Sequence, residues 1–153
     1  MEIALYEPDI PQNTGTILRT AACLGVPVHI VEPAGFPVSD RAFRRAGLDY
    51  LDAVKIERHV SFDAFESWRK ANGRRLVLLT TKANQGYPAF AFGKQDVLMV
   101  GRESSGVPDR VHAAADASLK IPMRENMRSL NIAVALAMVL GEGLRQTGGL
   151  NGG

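Results

Sequence analysis

Short, mostly apolar β-type runs at Ile3–Tyr6, Val28–Val31, Leu76–Thr80, Val97–Val100 and Ser118–Ile121 read as strands. Several of these runs are continuous rather than alternating, as expected of strands covered on both faces. Val54–Glu57 is a weaker strand candidate. Between the runs the period lengthens to that of helices. Spacing predicts a helix over Thr14–Leu24, capped by Asn13 and stopped at Gly25, with Pro27 beyond. A short basic helix follows over Asp40–Ala46, and another over Phe62–Ala71, entered from Ser61 and left at Asn72-Gly73. Strands alternating with helices predict an α/β fold with a mainly parallel sheet and helices on both faces.

The last predicted helix, Ser129–Gln146, is apolar on every face in its first half. One sheet cannot bury such a helix alone, so a second subunit, hence a homodimer, is expected. Residues 1–146 read as one domain and 147–153, glycine-rich, as a flexible tail.

Composition narrows the class without naming it. The chain has 153 residues, is 46% hydrophobic and 22% charged, and carries a formal charge of +2, which is too small to mark a polyanion binder by itself. Basic residues do cluster locally, as Arg41, Arg44 and Arg45 and again as Arg124 and Arg128. The one cysteine, Cys23, excludes an intrachain disulfide and fits a reducing, cytoplasmic compartment; its apolar surroundings predict a packed side chain. Neither a signal peptide nor a membrane span is expected, since the run from Ile132 to Leu140 falls short of about 20 residues.

Three loops carry candidate chemistry, and each leaves the end of a predicted strand. The first is EPDIPQNTG, residues 7–15, leading toward Arg19. The second is GRESSGVP, residues 101–108, whose glycines permit close approach to the backbone and whose Glu103 offers a hydrogen-bond acceptor. It is not a phosphate-binding P-loop: Val107 and Pro108 stand where Lys and Ser or Thr would be needed. The third is IPMRENMRSLN, residues 121–131. A dinucleotide fingerprint is missing after the first strand, no G-x-S-x-G motif occurs, and His29, His59 and His112 show no triad spacing. His29, within a strand, reads as a packed core residue. No His, Cys, Asp or Glu group has metal-ligand spacing, so no metal is expected.

Taken in order, NTG with Arg19, a strand ending in LTTK, GRESSGVP, and IPM followed by RSLN resemble the SPOUT superfamily of RNA methyltransferases. The YEPDIPQNTG and RRAGLDY segments bring the resemblance nearest to the small members that methylate the ribose 2′-hydroxyl of the tRNA wobble nucleotide, cytidine or uridine. The resemblance implies a C-terminal trefoil knot, S-adenosylmethionine as cofactor, tRNA as substrate and a homodimer. It implies cofactor contacts at Leu79, Gly101, Ile121, Ser129 and Leu130, and catalytic roles for Arg19 and Asn13. Because a guanidinium stays protonated, Arg19 is expected to position the hydroxyl and a phosphate and to stabilise negative charge, with Asn13 ordering its loop. The chain departs from the family pattern at Ser105, where arginine is usual, at Ala133-Val134, where Ser-Asn is frequent, and at Gly141, where tyrosine is frequent. Two alternatives accompany this reading: methylation of another tRNA or rRNA nucleotide, and a non-catalytic RNA-binding protein of the same fold.

Overall fold

The computed structural model describes residues 1–45 and 51–150. Its seven strands are β1 (Glu2–Tyr6), β2 (Val28–Val31), β3 (Ile56–His59), β4 (Arg75–Leu79), β5 (Gln85–Gly86), β6 (Asp96–Val100) and β7 (Ala117–Lys120). They form one sheet in the order β3-β2-β1-β6-β4-β7-β5, and every pairing is parallel. The five α-helices are α1 (Pro11–Leu24), α2 (Asp40–Arg45), α3 (Phe62–Ala71), α4 (Asp109–Ala114) and α5 (Ile132–Thr147).

The continuous apolar runs have the predicted physical cause. Along β1, Ile3 and Leu5 enter a core shared with Ile17, Leu18 and Ala21 of α1 and Leu136, Val139 and Leu140 of α5. Ala4 and Tyr6, one residue out of phase, enter a second core with Phe62 and Phe65 of α3 and Val111 of α4. The strand alternation therefore feeds two apolar layers rather than one apolar and one wet face. At the rim of the second layer Arg69 is 5% exposed and is held by Glu66 at 2.5 and 2.7 Å, by Asp116 at 3.0 Å and by the carbonyl of Arg74 at 2.9 Å. This ties α3 to the segment before β7.

Four expectations need correction. Asn13 does not cap α1: the helix starts three residues after Pro8, at Pro11, whose fixed φ and missing N–H suit the first helical position, so Asn13 lies in the first turn. The last helix starts at Ile132 rather than Ser129, because the Asn131 side chain accepts hydrogen bonds from the N–H groups of Ala133 (2.9 Å) and Val134 (3.2 Å). The weak strand candidate is shifted to Ile56–His59. Cys23 is exposed, not packed. Two elements lacked a signal: β5 is only two residues long, and α4 is short and has no side-chain cap.

Other boundaries agree closely with the sequence. Gly25 ends α1 in the left-handed conformation at φ 68°, and Ser61 caps α3 by accepting from the N–H of Ala64. The predicted tail begins as a helix cap, with Gly148 at φ 79° and the N–H of Gly149 donating to the carbonyl of Leu144. Residues 151–153 of that tail lie outside the described residues, as do 46–50, which include most of the RRAGLDY segment. No described helix is long and apolar enough to cross a membrane.

Candidate active site

Parallel pairing brings the carboxyl ends of β4, β6 and β7 to one edge of the sheet, the usual place for ligands in open α/β folds. There the segments after these strands, the 122–131 loop and the start of α5 surround a cavity of about 480 Å³. Leu79, Gly101, Ile121, Ser129 and Leu130, drawn from three separate segments, all line it. So does Asn13, from the first turn of α1. Its Oδ1 accepts a hydrogen bond at 3.0 Å from Nδ2 of Asn131, the residue that also caps α5. One side chain thus joins α1 to the helix behind the cavity.

Arg19 stands apart. It is exposed on α1 and is not among the residues lining the cavity. It lies six positions after Asn13, which is about 9 Å along the helix axis and about 240° around it. The sequence grouped these two residues by loop; the helix turns them to different sides.

The GRESSGVP loop closes on itself. Arg102 and Gly106 exchange backbone hydrogen bonds at 2.9 and 2.8 Å, and Gly106 adopts φ 68°. A Cβ on Gly101 would lie 2.6 Å from the carbonyl carbon of Gly106. The close approach that requires glycine at 101 is therefore made by the loop's own backbone, before any ligand is considered. Any side chain at 101 would force the loop open.

This loop is also bound to the first one. The N–H of Glu103 donates to Asp9 Oδ1 (3.1 Å), the N–H of Asp9 donates to Glu103 Oε2 (3.3 Å), and the Ser104 hydroxyl donates to Asp9 Oδ2. Arg102 lies 3.5 Å from Asp9 and 3.7 Å from Glu7. Hydrogen bonding from the Glu103 side chain, then from Ser104 and the Glu103 N–H, holds the Asp9 carboxyl down at about 2. Burial, followed by the Asp9 hydrogen bond, pushes the Glu103 carboxyl up. The sequence offered Glu103 as an acceptor but gave no sign that Asp9, 94 residues away, would share its environment.

Among the described residues, Arg102, Glu103 and Arg128 are the charged side chains lining the cavity, and neither lysine nor histidine lines it. Its walls are otherwise apolar side chains, hydroxyls, amides and backbone, including Thr80, Thr81 and Ala135. Such a site suits a mostly uncharged ligand read by backbone groups, and lacks the dense positive charge that a polyphosphate needs. The departures from the family pattern fall away from these walls. Ser105 and Val134 are exposed, and a Cβ on Gly141 would meet nothing within 4 Å. Of the basic cluster on α2, Arg41 is exposed and Arg44 pairs with Asp52 at 2.6 Å.

Comparison with known proteins gives the chain a family. The pattern of the SpoU rRNA Methylase family matches residues 1–141. A tRNA (cytidine(34)-2'-O)-methyltransferase of Beijerinckia indica is 66% identical over 97% of this chain and 92% of its own. A solved structure concerned with 2-OH methylation of C/U34 on tRNA is 41% identical, covers 95% of this chain and 94% of its own, and has a TM-score of 0.87. An AdoMet-bound rRNA methyltransferase from Sinorhizobium meliloti is 30% identical over 94% of this chain and 55% of its own, with a TM-score of 0.83.

The Asp9–Glu103 pair gives a pH signature. A carboxyl raised on folding stabilises most when protonated, and that contribution is lost as pH rises above the ordinary glutamate value of 4.5; the Asp9 contribution is instead lost as pH falls from 3.8 toward about 2. Glu103→Gln keeps the acceptor for the Asp9 N–H and removes the titration. Chemical denaturation should therefore show the variant gaining stability relative to the parent between pH 4.5 and pH 7. A difference that stays constant across this window would mean that Glu103 is not raised.

Proposed function

This chain belongs to the SpoU rRNA Methylase family, and from that premise we propose that it transfers a methyl group from S-adenosylmethionine to the ribose 2′-hydroxyl of the tRNA wobble nucleotide, cytidine or uridine 34. The observation that carries this reading is the convergence of Leu79, Gly101, Ile121, Ser129 and Leu130 on one cavity. Its volume of about 480 Å³ falls within the roughly 300–1,000 Å³ of small-molecule sites. The full-length likeness to the Beijerinckia indica enzyme supports the choice of nucleotide.

These residues fit an adenosine joined to an amino acid, because backbone groups at Gly101 and Ile121 can read a base edge without a lysine. When bound, S-adenosylmethionine supplies an electrophilic methyl carbon and its own leaving group, a neutral thioether. The chain's task is then alignment and charge. Arg19, exposed on α1 and outside the cavity walls, meets the substrate from the RNA side: it holds the hydroxyl and an adjoining phosphate as they approach the cavity and stabilises negative charge on the attacking oxygen. Asn13, through Asn131, keeps the RNA side of the cavity in register with the cofactor side. Arg41, and Arg124 with Arg128 beside the cavity, extend the phosphate-binding surface. The C-terminal knot belongs to the same reading. It is supported by the strand order β1-β6-β4-β7-β5, in which the chain goes from β4 to the edge at β5, crosses to the other side of β4 at β6 and returns at β7 between β4 and β5. The compartment is the cytoplasm, where the tRNA substrate is found.

The active species is a homodimer. Val134 (51% exposed) and Met138 (41%), four residues apart on α5, leave an apolar stripe uncovered, and Leu130 (41%) continues it to the cavity rim. Sedimentation at low micromolar concentration should give twice the 16.5 kDa chain mass, and Val134→Glu with Met138→Glu should halve it. A parent chain that stays monomeric while methylating RNA would contradict the dimer.

Arg19→Ala tests the division of labour. Losing a charge contact made in the transition state costs about 3–4 kcal/mol, a hundredfold or more in rate. Single-turnover methyl transfer should fall by that factor, while calorimetry with S-adenosylhomocysteine gives an unchanged affinity, because Arg19 does not line the cavity. A near-normal rate would remove Arg19 from the mechanism.

A further inference from the structure

The second apolar layer contains a cluster that the methylation chemistry does not use. His29 of β2 is paired in register with Glu57 of β3, and His59, two residues after Glu57, shares the same face. His29 Nδ1 lies 2.9 Å from His59 Nε2 and 3.7 Å from Glu57 Oε2. One ligand atom from each of the three lies within 4.8 Å of the others. Spacing along the chain hid this group, because its members come from two neighbouring strands. Both histidines are buried, at 1% and 7% exposed, whereas the Glu57 side chain is 40% exposed and opens the group to solvent at the edge strand.

We propose that His29, Glu57 and His59 form a binding site for a divalent transition-metal ion, zinc by preference, outside the cavity at the strand ends. Two imidazoles and one carboxylate suit zinc, with a water from the open side completing four-coordination. Ligand bonds of about 2.0–2.1 Å at tetrahedral angles set the ligand atoms about 3.3 Å apart. The 2.9 and 3.7 Å from His29 to its two partners bracket that spacing, and the Glu57 and His59 ligand atoms, within 4.8 Å of each other, close on the ion by movement of the half-exposed Glu57 side chain. On the far side of the His29 ring, Nε2 is 3.0 Å from Glu2 Oε1, and the other Glu2 oxygen lies 2.8 Å from Arg74. This is the carboxylate support that fixes a metal-binding histidine: it holds the proton on Nε2 and leaves Nδ1 free to ligate. Without metal, His59 Nε2–H donates to that nitrogen. Metal binding requires His59 to carry its proton on Nδ1 instead, a tautomer change with no net proton loss.

The fold supplies its own reporter. Trp68, the one tryptophan in the chain, has its ring 4.1 Å from that of His29. Cobalt(II), which takes zinc sites and quenches nearby fluorophores, should therefore quench tryptophan emission as it binds. The titration uses the full chain carrying Cys23→Ser, so that the exposed thiol cannot compete. One equivalent should give saturable quenching, reversed by zinc, and Glu57→Gln should raise the midpoint at least tenfold without altering the circular dichroism. His59→Gln, measured in parallel, should do the same. Absence of saturable quenching up to about 1 mM cobalt, or an equal midpoint in parent and Glu57→Gln, would overturn the site. Neither result bears on methyl transfer, since none of these residues lines the cavity.

Discussion

Val100 is level with Leu5 on one side and with Leu79 on the other, because β6 pairs in parallel with both β1 and β4. That register decides where chemistry is possible. Three strands ending at one height release their following segments into the same space, and β7, in register with β4, adds Ile121 to it. Each ladder hydrogen bond contributes modestly, about 0.5–1.5 kcal/mol. The sheet as a whole is fixed more firmly, since a one-residue slip would exchange the two apolar layers on its faces. The position of the cavity is thus set by burial far from the cavity.

Two local devices then give the opening its shape. The first is the contact of Gly101 with the backbone of Gly106, which folds the 101–107 segment back over the end of β6 and points Glu103 at Asp9. The second is Asn131, whose amide oxygen caps α5 while its amide nitrogen donates to Asn13. A cap of this kind is worth about 1 kcal/mol. Its larger consequence is positional, because it fixes where the loop ends and leaves Ser129 and Leu130 as cavity wall rather than as the first turn of a helix.

Much of this was legible in the chain. Continuous apolar runs foretold strands covered on both faces, and the ends of α1 and α3 followed from Gly25 and Ser61. All five residues that the family resemblance implied for the cofactor line one cavity, together with Asn13. What was hidden shares a physical cause. Asn13 looked like a helix cap because cap and first-turn positions use the same polar residues, and only Pro11 tells them apart. The separation of Arg19 from Asn13 is a matter of helical phase. Asp9 with Glu103, and His29 with Glu57 and His59, are contacts between distant segments that no local pattern encodes. Cys23 sits in an apolar run yet faces outward on α1, so the run marks more surface than the core of one subunit needs.

Delivery of a methyl group from this cavity to one ribose hydroxyl at the wobble position can be measured directly. The protein is incubated with tRNA and S-adenosylmethionine labelled in the methyl group, and the RNA is then digested to nucleosides and to fragments. Label should be confined to 2′-O-methylcytidine or 2′-O-methyluridine within the anticodon fragment, at nucleotide 34. Label on a base, or on a ribose elsewhere in the tRNA, would contradict the proposed reaction, as would no transfer by a protein that binds both cofactor and tRNA.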